Sequence, residues 1–101
     1  MIILTNPNNP TTVVYSRESL EALAEFIQKK DLIIVVDQAF EDIVFDEKEM
    51  VTMAALDGMF ERTITVFSIS KGFGLSGLRV GYIAAPDTLI DAMFASAVSV
   101  I

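Results

Sequence analysis

The run Leu32-Ile33-Ile34-Val35-Val36 is the feature that most narrows what this chain can fold into. It is continuous, apolar and rich in β-branched side chains, with none of the apolar–polar alternation of a strand wetted on one side. Such a run marks a strand covered on both faces, as the strands of parallel sheets are. It stops abruptly at Asp37. Thr63 to Phe67 is a second buried strand, Ile2 to Leu4 a shorter one, and "VGYIAA", from Val80, a further candidate. Between the first strands, Leu20, Leu23, Ala24 and Ile27 recur at helical spacing and predict a helix over residues 17–30. Ser16 is its expected N-cap, Glu18 suits its first turn, and Lys29 and Lys30 suit its C-terminus. "MVTMAALDG" reads as a short helix ending near Gly58, and Pro86 opens another from about Asp87. Ala39 to Phe45 reads as neither helix nor strand with any clarity. Strands alternating with helices predict βαβ units: an α/β fold with a mostly parallel sheet flanked by helices.

Open sheets of that kind bind ligands beyond the carboxyl ends of their strands. Polar clusters follow the predicted strands: Asn6 to Thr12, Asp37 to Gln38, and Ser68 to Arg79. All are expected to open onto one edge. Singly, each has a plain structural explanation. Asn-Pro stretches make rigid turns, an aspartate after a strand caps the next element, and loop lysines and arginines are usually solvated. The glycines around Lys71 make turns equally well.

Composition removes several chemistries. The chain has no cysteine and no histidine, which excludes disulfides, thiolate chemistry, imidazole bases and ordinary zinc sites. A formal charge of -7 with no basic cluster argues against a nucleic-acid partner. No apolar run approaches a membrane span, and "MIILTNPNNP" lacks the basic start and long apolar core of a secretory signal. A soluble, cytoplasmic protein is expected. Catalysis is left to carboxylates, lysine, hydroxyls or a cofactor. At 52% hydrophobic, 101 residues hold more apolar surface than a domain this small normally buries. The uncapped apolar terminus "DAMFASAVSVI" agrees with a piece of a larger domain.

The stretch "SISKGFGLSGLRVG", Ser68 to Gly81, combines flexible backbone, hydroxyls and fixed positive charge, the ingredients of an anion site. A nucleotide-type phosphate loop needs serine or threonine after its lysine, whereas Gly72 follows Lys71. Instead the pattern resembles the fold-type I pyridoxal-phosphate enzymes, in particular the class I/II aminotransferases. The family's asparagine–proline turn is matched by Asn9-Pro10-Thr11-Thr12 and its strand-end aspartate motif by Asp37-Gln38-Ala39-Phe40. Its lysine motif is matched by Lys71, preceded by Ser68 and Ser70 and followed eight residues later by Arg79. Order and separation of these motifs agree with the family across essentially the whole chain.

The resemblance implies a role for each residue. Lys71 would form a Schiff base with pyridoxal 5'-phosphate, its charged form disfavoured by nearby Arg79 and partial desolvation. Its released amine would then move a proton between the substrate α-carbon and the cofactor. Asp37 would pair with the pyridine nitrogen and keep it protonated, making the ring a better electron sink. Arg79 would fork onto the phosphate, helped by the Ser68 and Ser70 hydroxyls. Asn9 would donate to the ring's phenolic oxygen. Phe40 departs from the family, standing where a tyrosine usually donates to that oxygen. Thr12 replaces a usual glycine.

By the same resemblance, residues 1–101 are part of the cofactor-binding large domain, without its N-terminal part or the C-terminal small domain. The expected activity of the parent is amino-group transfer between an amino acid and a 2-oxo acid, with no nucleic-acid or membrane partner. The parent is expected to be a homodimer, and the isolated chain inactive and self-associating. The alternatives are another reaction on the same scaffold (a carbon–sulfur lyase or a decarboxylase) or a non-catalytic regulatory module that binds the cofactor.

Overall fold

The structure, a computed structural model, describes residues 1–6, 14–38, 51–68 and 80–100. Its centre is a four-stranded sheet made of β1 (Ile2–Thr5), β2 (Ile34–Asp37), β3 (Thr63–Ser68) and β4 (Gly81–Ala84), ordered as in the sequence. β1, β2 and β3 pair in parallel, and β4 adds to β3 antiparallel. The expected mostly parallel α/β sheet is therefore present, with an antiparallel strand at one edge.

Helix α1 (Arg17–Lys29) makes the crossover from β1 to β2. Ser16 starts it as expected, its hydroxyl accepting the Ser19 N–H at 3.1 Å. Leu20, Ala24 and Ile27 form its buried stripe and meet Ile34 and Val36 of β2 in one core cluster. Met53 and Met59 complete that cluster from the segment before β3. The short helix expected there is instead a pair of 3₁₀ turns, Met53–Ala55 and Phe60–Arg62, with Gly58 between them at φ +73°. A glycine in the left-handed region ends helical propagation, so only single turns form on either side.

β2 begins at Ile34 rather than Leu32. The Leu32 N–H donates to the Ile27 carbonyl at 3.0 Å, which ties it into the turn that closes α1. Its carbonyl accepts from Arg62 Nη1 at 3.3 Å, and the same nitrogen reaches Asp31 Oδ1 at 3.2 Å. This guanidinium joins the turn after α1 to the start of β3 at the amino edge of the sheet.

Among the described residues, covering is heavier on one face, although Ile64 is buried on the other. The molecule measures 43 × 41 × 19 Å, a thickness suited to a sheet and one layer of helix. Strand alternation puts Ile34 and Val36 toward α1 and Ile3, Val35 and Ile83 on the opposite face. There Ile3 is 70% exposed and Ile83 47%, and Val35 is half-buried. Among the described residues, the burial expected on both faces of the Leu32–Val36 run is complete on the α1 face and partial on the other. Helix α2 (Asp87–Val100), opening at the Pro86 carbonyl, likewise exposes Ile90, Phe94 and Val98, successive turns of one stripe.

Fully buried Ile27 and open Ile3 make a direct contrast. Ile27→Ala is expected to lower the unfolding free energy of the chain by roughly 2–5 kcal/mol. Ile3→Thr, which keeps β-branching, should change it by less than about 0.5 kcal/mol. Urea unfolding of both variants checks this, and equal effects would contradict the heavier covering of the α1 face.

Candidate functional site

Parallel pairing brings the carboxyl ends of β1, β2 and β3 to one edge, although their residues are far apart in sequence. The register sets Thr5 beside Asp37 and Asp37 beside Val66. Main-chain bonds extend the ladder beyond the strands. Asn6 N–H donates to the Asp37 carbonyl at 3.0 Å, and Gln38 N–H donates to the Val66 carbonyl at 2.8 Å. Asp37 is therefore gripped from both neighbouring strands, so its backbone has little freedom to turn the carboxylate elsewhere.

Alternation decides the direction of the side chains. Thr5, Asp37, Val66 and Ser68 share the face opposite α1. Asp37 and Ser68 are both half-buried. A carboxylate and a hydroxyl thus sit on adjacent strands, on one face, at the edge where an α/β sheet binds its ligands. Both also take part in interactions within the structure. Of the residues singled out from the sequence, these are the ones described. Asn9, Phe40, Ser70, Lys71 and Arg79 lie outside the described residues.

β4 holds the site's flank. Ser68 pairs with Gly81, and Phe67 pairs with Tyr82. The Phe67 and Tyr82 rings stack with centroids 4.6 Å apart and planes 14° from parallel, on the α1 face of the sheet. Gly81 permits that approach, because a Cβ there would lie 2.7 Å from the Phe67 carbonyl oxygen.

Sequence reasoning put two further residues in the polar clusters of this edge but gave neither a role. Asn6 and Gln38 are each 1% exposed, among the most buried polar residues described. The available signal was position: each immediately follows the last residue of a strand. Among the described residues no helix is long and apolar enough to cross a membrane, and no group of three or more potential metal ligands occurs.

An acidic residue and a hydroxyl at the carboxyl edge of a mostly parallel sheet stand where α/β domains bind their ligands. The comparisons with known proteins give the chain's family. Residues 1–100 match the model of the family "Aminotransferase class I and II", and the chain belongs to that family. It is similar to the aspartate aminotransferase of Pyrococcus abyssi, 42% identical over 92 residues, which cover 91% of this chain and 24% of that protein. Among solved structures it resembles an aromatic aminotransferase from Pyrococcus horikoshii OT3, with TM-score 0.86 and 43% identity over 90% of this chain and 24% of that one. An aminotransferase from Clostridium difficile 630, solved with PLP bound, superposes with TM-score 0.87 at 27% identity, covering 97% of this chain and 26% of that one. The chain thus spans about a quarter of the length of these relatives.

The close approach at Gly81 generates a test of how β4 supports Ser68. Gly81→Ala should push β4 away from β3 and destabilise the chain by roughly 1–3 kcal/mol. Thermal unfolding, with amide exchange at Ser68, measures both effects. A neutral substitution with unchanged exchange would show that the pairing tolerates a side chain there.

Proposed function

We propose that these residues form part of the cofactor-binding large domain of a pyridoxal-phosphate-dependent aminotransferase, which moves an amino group between an amino acid and a 2-oxo acid. The observation that carries this reading is the placement of Asp37 and Ser68, on one face at the carboxyl edge, in a chain of the aminotransferase family. The donor set suits the group. A half-buried carboxylate on a rigid backbone matches a protonated ring nitrogen, and a hydroxyl one strand away matches a phosphate oxygen. The relatives named above are all aminotransferases, which favours amino-group transfer over lyase, decarboxylase or regulatory roles.

When bound, pyridoxal phosphate supplies an electron sink for the pair left at the substrate α-carbon after its proton departs. Each protein group then has a separate task. Asp37 would hold a proton on the pyridine nitrogen. Ser68, Ser70 and Arg79 would hold the phosphate, and Asn9 would orient the ring through its phenolic oxygen. Lys71, three residues beyond Ser68, would be the amine that holds the cofactor and moves the proton at the substrate α-carbon. Phe40 brings no hydroxyl to the ring, so Asn9 is left as the side-chain donor at that oxygen among the residues assigned.

The same proposal covers the setting. The absence of a basic cluster and the acidic charge favour action on small molecules rather than on nucleic acid, and a cytoplasmic location belongs to the same proposal. The open sheet face and the exposed stripe of α2 favour a homodimeric parent and self-association of the isolated chain.

Asp37→Asn in the full-length protein tests the central role. Amide for carboxylate is nearly isosteric, so the fold should persist while the ring nitrogen loses its proton-holding partner. Exchange of the substrate α-proton should slow by roughly 100-fold or more, a loss of about 2.7 kcal/mol in the transition state. An unchanged exchange rate in a folded, cofactor-loaded variant would refute the assignment.

A further inference from the structure

Asn6 is a buried polar side chain to which the proposed function gives no role. It lies one residue beyond β1 at the same edge as Asp37 and is 1% exposed. Its main chain and side chain act in different directions. The N–H donates to the Asp37 carbonyl at 3.0 Å, fixing the backbone that carries the carboxylate. The side-chain Oδ1 accepts the Tyr15 N–H at 3.2 Å. Tyr15 directly precedes Ser16, the N-cap of α1, and α1 packs Leu20, Ala24 and Ile27 onto the sheet. A single residue therefore ties the entry of the helix to the backbone of the site aspartate. A buried side chain kept polar at the rim of an apolar core is costly unless its bonds are needed.

We propose that Asn6 is a positioning residue of the cofactor site, holding the entry of α1 to the carboxyl edge and keeping Asp37 in register with it. The inference rests on the pyridoxal-phosphate reading of that edge. Its chemistry is specific: the task needs an acceptor oxygen at the Oδ1 position and no charge or nucleophile.

The test uses the full-length protein with Asn6→Leu, which fills similar volume without an acceptor, and Asn6→Asp, which keeps the acceptor. Amide exchange at Tyr15, affinity for pyridoxal phosphate, and the absorbance spectrum of the bound cofactor with its pH dependence are recorded for each. In Asn6→Leu, exchange at Tyr15 should rise and affinity should fall, each by roughly tenfold, as expected for one lost bond to a buried group. Its spectrum should shift, whereas Asn6→Asp, which keeps the acceptor, should retain Tyr15 protection. Should Asn6→Leu not fold, Asn6→Ala withdraws the same acceptor without apolar bulk and is held to the same outcomes. Wild-type affinity and spectrum in the variant lacking the acceptor would overturn the positioning role alone. Failure of the wild-type protein to take up pyridoxal phosphate would overturn the functional reading and this inference together.

Discussion

Parallel pairing of β1, β2 and β3 is the constraint on which the rest depends. Strands that run the same way end at the same edge, so whatever follows each of them becomes a neighbour of whatever follows the others. The pairing is possible because α1 returns the chain to the starting edge and covers the sheet while doing so. Its apolar stripe and the matching residues Ile34 and Val36 make one core, so the helix and the sheet stabilise each other. Site geometry is a by-product of that packing. Asp37 reaches its position as the last residue of a strand whose preceding residues are held by burial.

The two edges of the sheet do different work. At the amino edge, Arg62 clamps Asp31 and the Leu32 carbonyl, an arrangement that closes turns. At the carboxyl edge, main-chain bonds from Asn6 and Gln38 stiffen the backbone while Asp37 and Ser68 remain only half-buried. Rigid backbone with accessible polar tips is what a binding site on strands requires. The face that carries those tips is also the less covered one, with Ile3 and Ile83 open. An apolar surface beside the polar pair suits a ligand that is a flat ring with charged ends.

Much of this was legible in the residues themselves. The Ser16 cap and the Leu20–Ala24–Ile27 spacing bounded α1 closely, because capping and periodicity are local. Asp37 and Ser68 were readable as strand ends because each closes an apolar run, whereas the roles given to them came from the family resemblance, since an aspartate there can equally cap the next element. What depended on distant partners was not legible. Leu32 looks like strand in sequence, yet bonds to Ile27 and Arg62 draw it into a turn. The antiparallel direction of β4 and the need for glycine at position 81 arise only when it meets Phe67. Asn6 reads as one more turn-forming asparagine until its burial and its bond to Tyr15 are seen.

The account's central claim is that the carboxyl edge, and no other part of the molecule, holds the cofactor. Lysines offer a clean reading of this, because Lys29 and Lys30 close α1 and lie toward the opposite edge, while Lys71 follows β3. The full-length protein loaded with pyridoxal phosphate, reduced with borohydride and mapped by peptide mass, reports which amine was bonded. The account predicts the pyridoxyl group on Lys71. Label on Lys29, Lys30, Lys48 or any other lysine, with none on Lys71, would contradict it.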